Sequence, residues 1–358
     1  MTAYRVIDAD AHFVEPPEVW NKYLDPKFRH AAPKKVIDNQ GRSRRVIANH
    51  MMEYIPNAPP PPGGVTMDKK PGSFDPKARI ADMDEAGVDT MVIYPTSGLY
   101  FFSLKDVPTC VALCQAYNNW ASDFVKYDPK RLVAPCIIPQ IDVDEAIKEA
   151  RRGLGELGLR GVFMRPNPVG GRTMDHPAYE PLWDVLEEYN APVVLHEGTT
   201  QDLNQTGMDR YDNFMFRHMI SHPFEQQMAL LSMICGGVLE RHPKLRTMTV
   251  ECGVAWAPYW IDRMDDHIHH WGHASLKLPL MPSEYFRRQC FVAAEGNERL
   301  LPFTVDAIGD DNICFSTDYP HPDHPFDGVV EGLKTMNGLS DVSKRKILGE
   351  NAARLFGI

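Results

Sequence analysis

Asp8-Ala-Asp10-Ala-His12, Leu195-His196 and Thr317-Asp318 are the stretches of this chain whose side chains can act on one centre. Each follows a short apolar run that reads as a strand: Tyr4–Ile7, Pro192–Leu195 and Asn312–Phe315. Side chains two apart on an extended strand point the same way, so Asp10 and His12 can grip one ion. A lone histidine at a strand end is more often a hydrogen-bonded structural residue than a ligand. An Asp-x-His pair joined by two more strand-end donors, His196 and Asp318, reads as a metal site. Nitrogen and carboxylate donors suit zinc, manganese or iron better than a thiolate-preferring metal.

Three further residues extend this set. Glu251 closes a predicted strand over Thr247–Glu251 and reads as an added ligand or a general base. Its structural alternative is a carboxylate paired to a helix-capping arginine. In Ser221-His222-Pro223, proline favours the first helical position, so His222 is expected to cap a helix running to about Gly236. The positive helix end disfavours imidazolium, leaving a neutral His222 fit to bind metal or accept a proton. His321, held between Pro320 and Pro322, is expected to line the substrate pocket from the rim. This surplus is enough for a second ion, and a mixed His/carboxylate pair of ions suits manganese or iron. Asp318, His222 and Glu251 are the groups expected to move protons. Asp8 shares a face with Asp10 and is expected to orient a ligand from behind. Arg42, Arg44 and Arg45 are candidates to clamp a substrate carboxylate, against the plainer reading of a solvated basic loop. His267, His269, His270 and His273 crowd one predicted helix and read as a solvated face or subunit contact.

The elements that must position these residues alternate regularly. Candidate strands cover Arg5–Asp8, Thr90–Tyr94, Leu132–Ile138, Gly161–Met164, Val193–His196, Thr247–Glu251, Cys290–Ala293 and Ile313–Phe315, with helical patterns between them. Eight such repeats predict a parallel (β/α)8 TIM barrel, with residues 1–358 as one domain. Closure makes the first and last strands neighbours, as the ligand set requires. Barrel sites sit at the C-terminal strand ends, where every candidate ligand lies. Residues 16–75 break the alternation. They are rich in proline, include Pro59-Pro60-Pro61-Pro62, and have no clear period, so an inserted cap or oligomer arm is expected.

Composition narrows the partners. A formal charge of −10 argues against a nucleic-acid surface, and 43% hydrophobic residues allow a large core. An anionic small-molecule substrate stays open, because a bound cation outweighs distant surface charge. No charged-then-apolar leader follows Met1 and no apolar run approaches a membrane span, so a cytoplasmic enzyme without membrane contacts is expected. The seven scattered cysteines read as reduced thiols.

Ile7-Asp8-Ala-Asp10-Ala-His12-Phe13-Val14-Glu15-Pro16, Arg79-Ile-Ala-Asp82-Met83-Asp84, Val194-Leu195-His196, Trp256-Ala-Pro258-Tyr259-Trp260 with Arg263-Met264-Asp265, and Thr317-Asp318-Tyr319-Pro320-His321 together resemble the amidohydrolase superfamily. The resemblance is to its amidohydrolase-2 group, which includes aminocarboxymuconate semialdehyde decarboxylase and γ-resorcylate decarboxylase. It covers nearly the whole chain, and it implies that Asp10, His12, His196 and Asp318 hold the metal. One departure matters. Where the decarboxylases keep a catalytic histidine ahead of the Arg-x-Asp element, this chain has Cys252, preceded by Glu251.

The expected function is therefore a metal-dependent enzyme that hydrolyses or non-oxidatively decarboxylates a small carboxylated or cyclic substrate. The missing histidine predicts slow or absent aromatic decarboxylation by the usual route. The chain also resembles the α-aminoisobutyrate hydroxylase proteins, which implies a dinuclear manganese/iron oxygenase acting on a small amino acid as the alternative. A non-catalytic partner subunit is the third reading, and a homo- or hetero-oligomer with a related subunit is expected.

Overall fold

Eight parallel strands carry the apolar runs of the sequence, and all are buried along their length apart from one terminal residue. The computed structural model describes residues 4–56, 66–200, 203–272, 276, 278–321 and 326–358. In chain order its strands are β1 (Ile7–His12), β2 (Lys34–Ile37), β3 (Ser43–Ile47), β4 (His50–Met51), β5 (Thr90–Tyr94), β6 (Leu132–Val133), β7 (Cys136–Ile137), β8 (Val162–Met164), β9 (Val193–Leu195), β10 (Thr247–Thr249), β11 (Cys290–Glu295) and β12 (Ile313–Ser316). One sheet runs β1-β5-β6 and another runs β12-β11-β10-β9-β8-β7. β6 and β7 are one barrel strand broken at Ala134-Pro135, where proline has no N–H for the ladder. At the other seam Asp318 N–H donates to the Asp10 carbonyl at 2.8 Å, and His12 N–H to that of Tyr319. This is a (β/α)8 barrel. Strands covered on both faces read as unbroken apolar runs, which is why they are legible in the sequence.

The helices used below are α1 (Pro17–Tyr23), α2 (Pro76–Ala86), α3 (Val107–Val125), α4 (Val143–Arg151), α5 (Glu180–Glu188), α6 (Phe214–Cys235), α7 (Val238–Arg241) and α8 (Trp256–Trp271). Their caps follow the sequence closely. Asp75 accepts from Ala78 N–H, Pro76 opens α2 and Gly87 closes it in the left-handed conformation. Asp106 and Asp142 cap α3 and α4 in the same way. No described helix is long and apolar enough to cross a membrane.

Two sequence expectations change here. The first strand reaches His12 rather than ending at Asp8, so Asp10 and His12 lie on it rather than after it. α6 begins at Phe214 and is capped by Asn213, whose side chain accepts from Met215 and Phe216 N–H. His222 is therefore an interior helical residue, not a cap. Pro223 removes one backbone donor and costs about 3 kcal/mol, but capping at Asn213 and a buried inner face carry the helix through it.

Within residues 16–75, where no period is visible in the sequence, β2, β3 and β4 form an antiparallel sheet. Its first turn is built by Asp38, which accepts from Gln40 and Arg42 N–H and pairs with the Arg42 and Arg44 guanidiniums. The Pro59–Pro62 run lies outside the described residues.

Arg79 ties α2 to the site-bearing strand. Fully buried, it donates to the Gly72 and His12 carbonyls and lies 4.7 Å over the Tyr319 ring. Arg79→Met leaves both carbonyls without a donor. We expect a loss of about 2–4 kcal/mol, seen as a lower urea midpoint at unchanged slope. An unchanged midpoint would show that water takes over both carbonyls.

Candidate metal centre

The imidazoles of His12, on β1, and His196, just past β9, meet edge to edge at the C-terminal barrel mouth. Their Nε2 atoms are 2.9 Å apart. His12 Nδ1 donates to the Pro95 carbonyl at 2.9 Å and His196 Nδ1 to the Glu197 carbonyl at 2.6 Å. A carbonyl only accepts, so both Nδ1 atoms carry the hydrogen and both Nε2 atoms present lone pairs to the same point. Burial first, and His12 beside it, lower the His196 pKa to about 3, so it is neutral. Two lone pairs at that separation call for a cation between them.

The carboxylates make the same demand. Asp10 Oδ1 is 3.6 Å from His12 Nε2 and 3.7 Å from His196 Nε2, and Asp318 Oδ1 is 3.2 Å from His12 Nε2. Asp10 Oδ1 and both Asp318 oxygens are buried with no aligned hydrogen-bond partner. Burial first, then the facing charges of Asp318 and Glu251, push the Asp10 pKa well above the usual carboxylate range. Burial also opposes the charge on Asp318, but His321 and His12 outweigh it and hold that carboxyl low. Orphaned buried acceptors around two imine nitrogens fit a divalent cation of the zinc, manganese or iron class.

Glu251 opens a second donor set beside the first. Its Oε2 is 3.3 Å from His196 Nε2, and its Oε1 lies 3.5 Å from His222 Nε2 and 3.7 Å from His218 Nε2. His218 and His222 are one helical turn apart on α6 with rings stacked at 4.0 Å. Burial opposes the Glu251 charge, yet His222, His218 and His196 overcome it and keep the carboxyl low. Glu251 thus faces histidines rather than the arginine of its structural alternative. Burial first, then His218, lowers the His222 pKa. Burial rather than a helix dipole is thus what disfavours imidazolium at His222.

His218 escapes a reading of the sequence alone. Its signal, the His-x3-His spacing with His222, becomes visible only when the helix is started at Asn213 instead of His222.

The remaining candidates divide. His321 stacks on His12 at 4.0 Å, places Nδ1 2.9 Å from Asp318 Oδ1 and reaches Thr96 Oγ1 at 3.2 Å. Thr96, Glu15 and Arg45 line a cavity of about 1120 Å³ between the barrel mouth and the inserted sheet. Arg45 also lies over the Tyr100 ring at 4.2 Å, whereas Arg42 and Arg44 are engaged with Asp38. Asp8 accepts from Asp10 and Thr317 N–H, stitching β1 to the end of β12. His267, His269 and His270 are exposed on α8, and His273 lies outside the described residues. The seven thiols are free, and burial pushes that of Cys252 up, away from thiolate reactivity.

Support under His196 comes from a buried ion pair. Arg165 NH2 is 2.9 Å from Glu197 Oε1 and donates to the Gly198 carbonyl, while NH1 reaches the Leu99 carbonyl. Burial, against Arg165, raises the Glu197 pKa to about 7.

Comparison with known proteins agrees with this architecture. A family model described as amidohydrolase matches residues 7–358. The chain is 28% identical over 292 residues to 2-amino-3-carboxymuconate-6-semialdehyde decarboxylase of Dictyostelium discoideum, covering 80% of this chain and 77% of that one. An amidohydrolase crystal structure from Mycobacterium avium subsp. paratuberculosis superposes with a TM-score of 0.82 at 25% identity, covering 100% of both chains. A 5-carboxyvanillate decarboxylase structure from Novosphingobium aromaticivorans, with bound manganese, shares the fold at a TM-score of 0.74 and 22% identity, over 99% of this chain and 97% of that one.

If the four barrel-mouth donors act together, His12→Ala or Asp318→Asn should weaken manganese binding by roughly 100-fold or more. Equilibrium dialysis of chelator-treated protein measures this. Retention of wild-type affinity in both variants would remove these residues from the ligand set.

Proposed function

The chain belongs to the amidohydrolase family, and we propose that it is a metal-dependent carboxy-lyase acting on small carboxylated substrates. The observation that carries the reading is the convergence of Asp10, His12, His196 and Asp318 beside a cavity walled by Arg45. The decarboxylases among its relatives support the reaction class. A divalent cation held by these four residues would supply positive charge to an oxygen of the substrate.

The chain's own groups then have distinct roles. Arg45, on the cavity wall, offers its guanidinium to the substrate carboxylate. As the carbon–carboxylate bond breaks, carbon dioxide leaves and the electron pair stays on the substrate carbon, which must take a proton. Asp318, held as a carboxylate, is placed to relay that proton from His321 Nδ1, 2.9 Å away, and Thr96 joins His321 to the cavity. Cys252 is a poor proton donor, because burial keeps its proton tightly held. This assignment differs from the sequence expectation that loss of the family histidine slows decarboxylation, because Asp318 and His321 offer another proton path.

One observation favours a second reading. Glu251 touches His196 through one oxygen and His218 and His222 through the other, so His218, His222 and Glu251 could hold a second cation. A manganese/iron pair there would suit hydroxylation of a small amino acid, with dioxygen as oxidant and an external reductant supplying two electrons.

The deciding experiment measures carbon dioxide release from resorcylate- and picolinate-type acids without oxygen, beside oxygen uptake with small amino acids and a reductant. Oxygen-independent release that falls about 10³-fold in Asp318→Asn supports the carboxy-lyase. In that case Arg45→Gln should raise KM about tenfold with kcat little changed. Oxygen uptake with hydroxylated product selects the second reading, provided that His218→Ala/His222→Ala lowers the metal content by about one ion per chain. Neither activity, with metal bound, overturns both.

A further inference from the structure

At the opposite end of the barrel, α5 carries Glu180, Asp184 and Glu187 at helical spacing, so their carboxylates share one face. His242, the residue that ends α7, lies against that face and is only 4% exposed. Its Nε2 is 3.0 Å from Glu180 Oε2, which fixes the hydrogen on that nitrogen. Its Nδ1 points between Glu187 Oε2 at 3.4 Å and Asp184 Oδ1 at 3.6 Å. That nitrogen is buried and has no aligned hydrogen-bond partner.

We propose that Asp184, Glu187 and His242 form a divalent-cation site of the zinc class, separate from the barrel-mouth centre. A proton on Nδ1 would point squarely at neither carboxylate, whereas an ion on the lone pair draws in both. Glu180 behind the imidazole completes a carboxylate–histidine–metal arrangement, which orients the ring and fixes its tautomer. Charge favours it as well. Arg241 neutralises Glu180 through contacts of 2.6 and 3.0 Å, leaving the two charges of Asp184 and Glu187 to be met by one divalent ion. Lys244 N–H holds Glu187 Oε1 at 2.6 Å, turning the other oxygen toward His242. Asp184 is 72% exposed, so the site opens to water, which supplies the remaining ligand and the entry path. The ion would pin α5 to the segment that leads into β10. Its role is structural, and it is independent of the reaction at the barrel mouth.

The test is zinc content after equilibrium dialysis, with melting temperature, for the wild type and Asp184→Asn/Glu187→Gln. We expect the double variant to hold one zinc fewer per chain and to lose several degrees of the zinc-dependent rise in melting temperature. Glu180→Gln should weaken zinc binding about 10- to 100-fold at an unchanged saturating count. Asp184→Asn alone, at an exposed position, keeps the test informative if the double variant folds poorly. Equal zinc counts in the wild type, Asp184→Asn and Asp184→Asn/Glu187→Gln would overturn the proposal and make the cluster an imidazolium ion-pair group.

Discussion

Two imidazole lone pairs and three carboxylates, the buried Asp10 and Asp318 and the partly buried Glu251, face one another at the barrel mouth. This is the constraint on which the rest of the structure depends. Each carboxylate loses its hydration on burial, and the neighbouring carboxylates add repulsion. A chain without a cation at this place must hold protons there or distort. The donors therefore need rigid supports, and the fold provides them at both imidazoles and at the barrel seam. Pro95 and Glu197 carbonyls fix the two ring tautomers, Asp8 stitches the barrel seam, and Arg79 anchors the His12 carbonyl.

The backbone shows the same pressure. Glu251 and Asp318 both adopt left-handed dihedrals, with φ of 53° and 57°, a region that side chains other than glycine disfavour. Both occur just past a strand end, and in each the turn swings a carboxylate back over the barrel axis. An ordinary extended exit would carry those side chains past the imidazoles. Ala48, Asn49 and Asn190 adopt the same conformation in turns elsewhere, but at Glu251 and Asp318 it is tied to the geometry of the centre.

Helix α6 shows how one element can hold conflicting signals. Pro223 and the polar Ser221-His222 pair suggest a helix start, yet the helix runs straight through them from Asn213. Its inner face buries His222, Glu225, Gln226, Leu230 and Met233, and that burial exceeds the loss of one backbone bond. The outcome is functional as well as structural. Only in a continuous helix do His218 and His222 stack and reach Glu251 together. The neighbouring Cys252 thiol donates to the Gly253 carbonyl, and burial pushes its pKa up. Asp318, His321 and Thr96 form a continuous chain of contacts at the barrel mouth, away from that thiol.

Much of this is present in the order of residues. Runs such as Thr90–Tyr94 and Val193–Leu195 are apolar because both faces of a parallel strand are covered, and the spacing of Asp10 and His12 follows from the two-residue period of a strand. Those regularities are local, so the barrel and the Asp10, His12, His196 and Asp318 donors can be read directly. The partnership of His218 with Glu251, the choice of Arg45 over Arg42 and Arg44 to line the cavity, and the setting of His242 among α5 carboxylates are not legible there. Each depends on where a helix begins or how an inserted sheet packs, which competing burial energies decide over the whole molecule. Sequence determined which side chains could serve as ligands; tertiary packing decided which of them share a centre, because desolvation and charge act through space rather than along the chain.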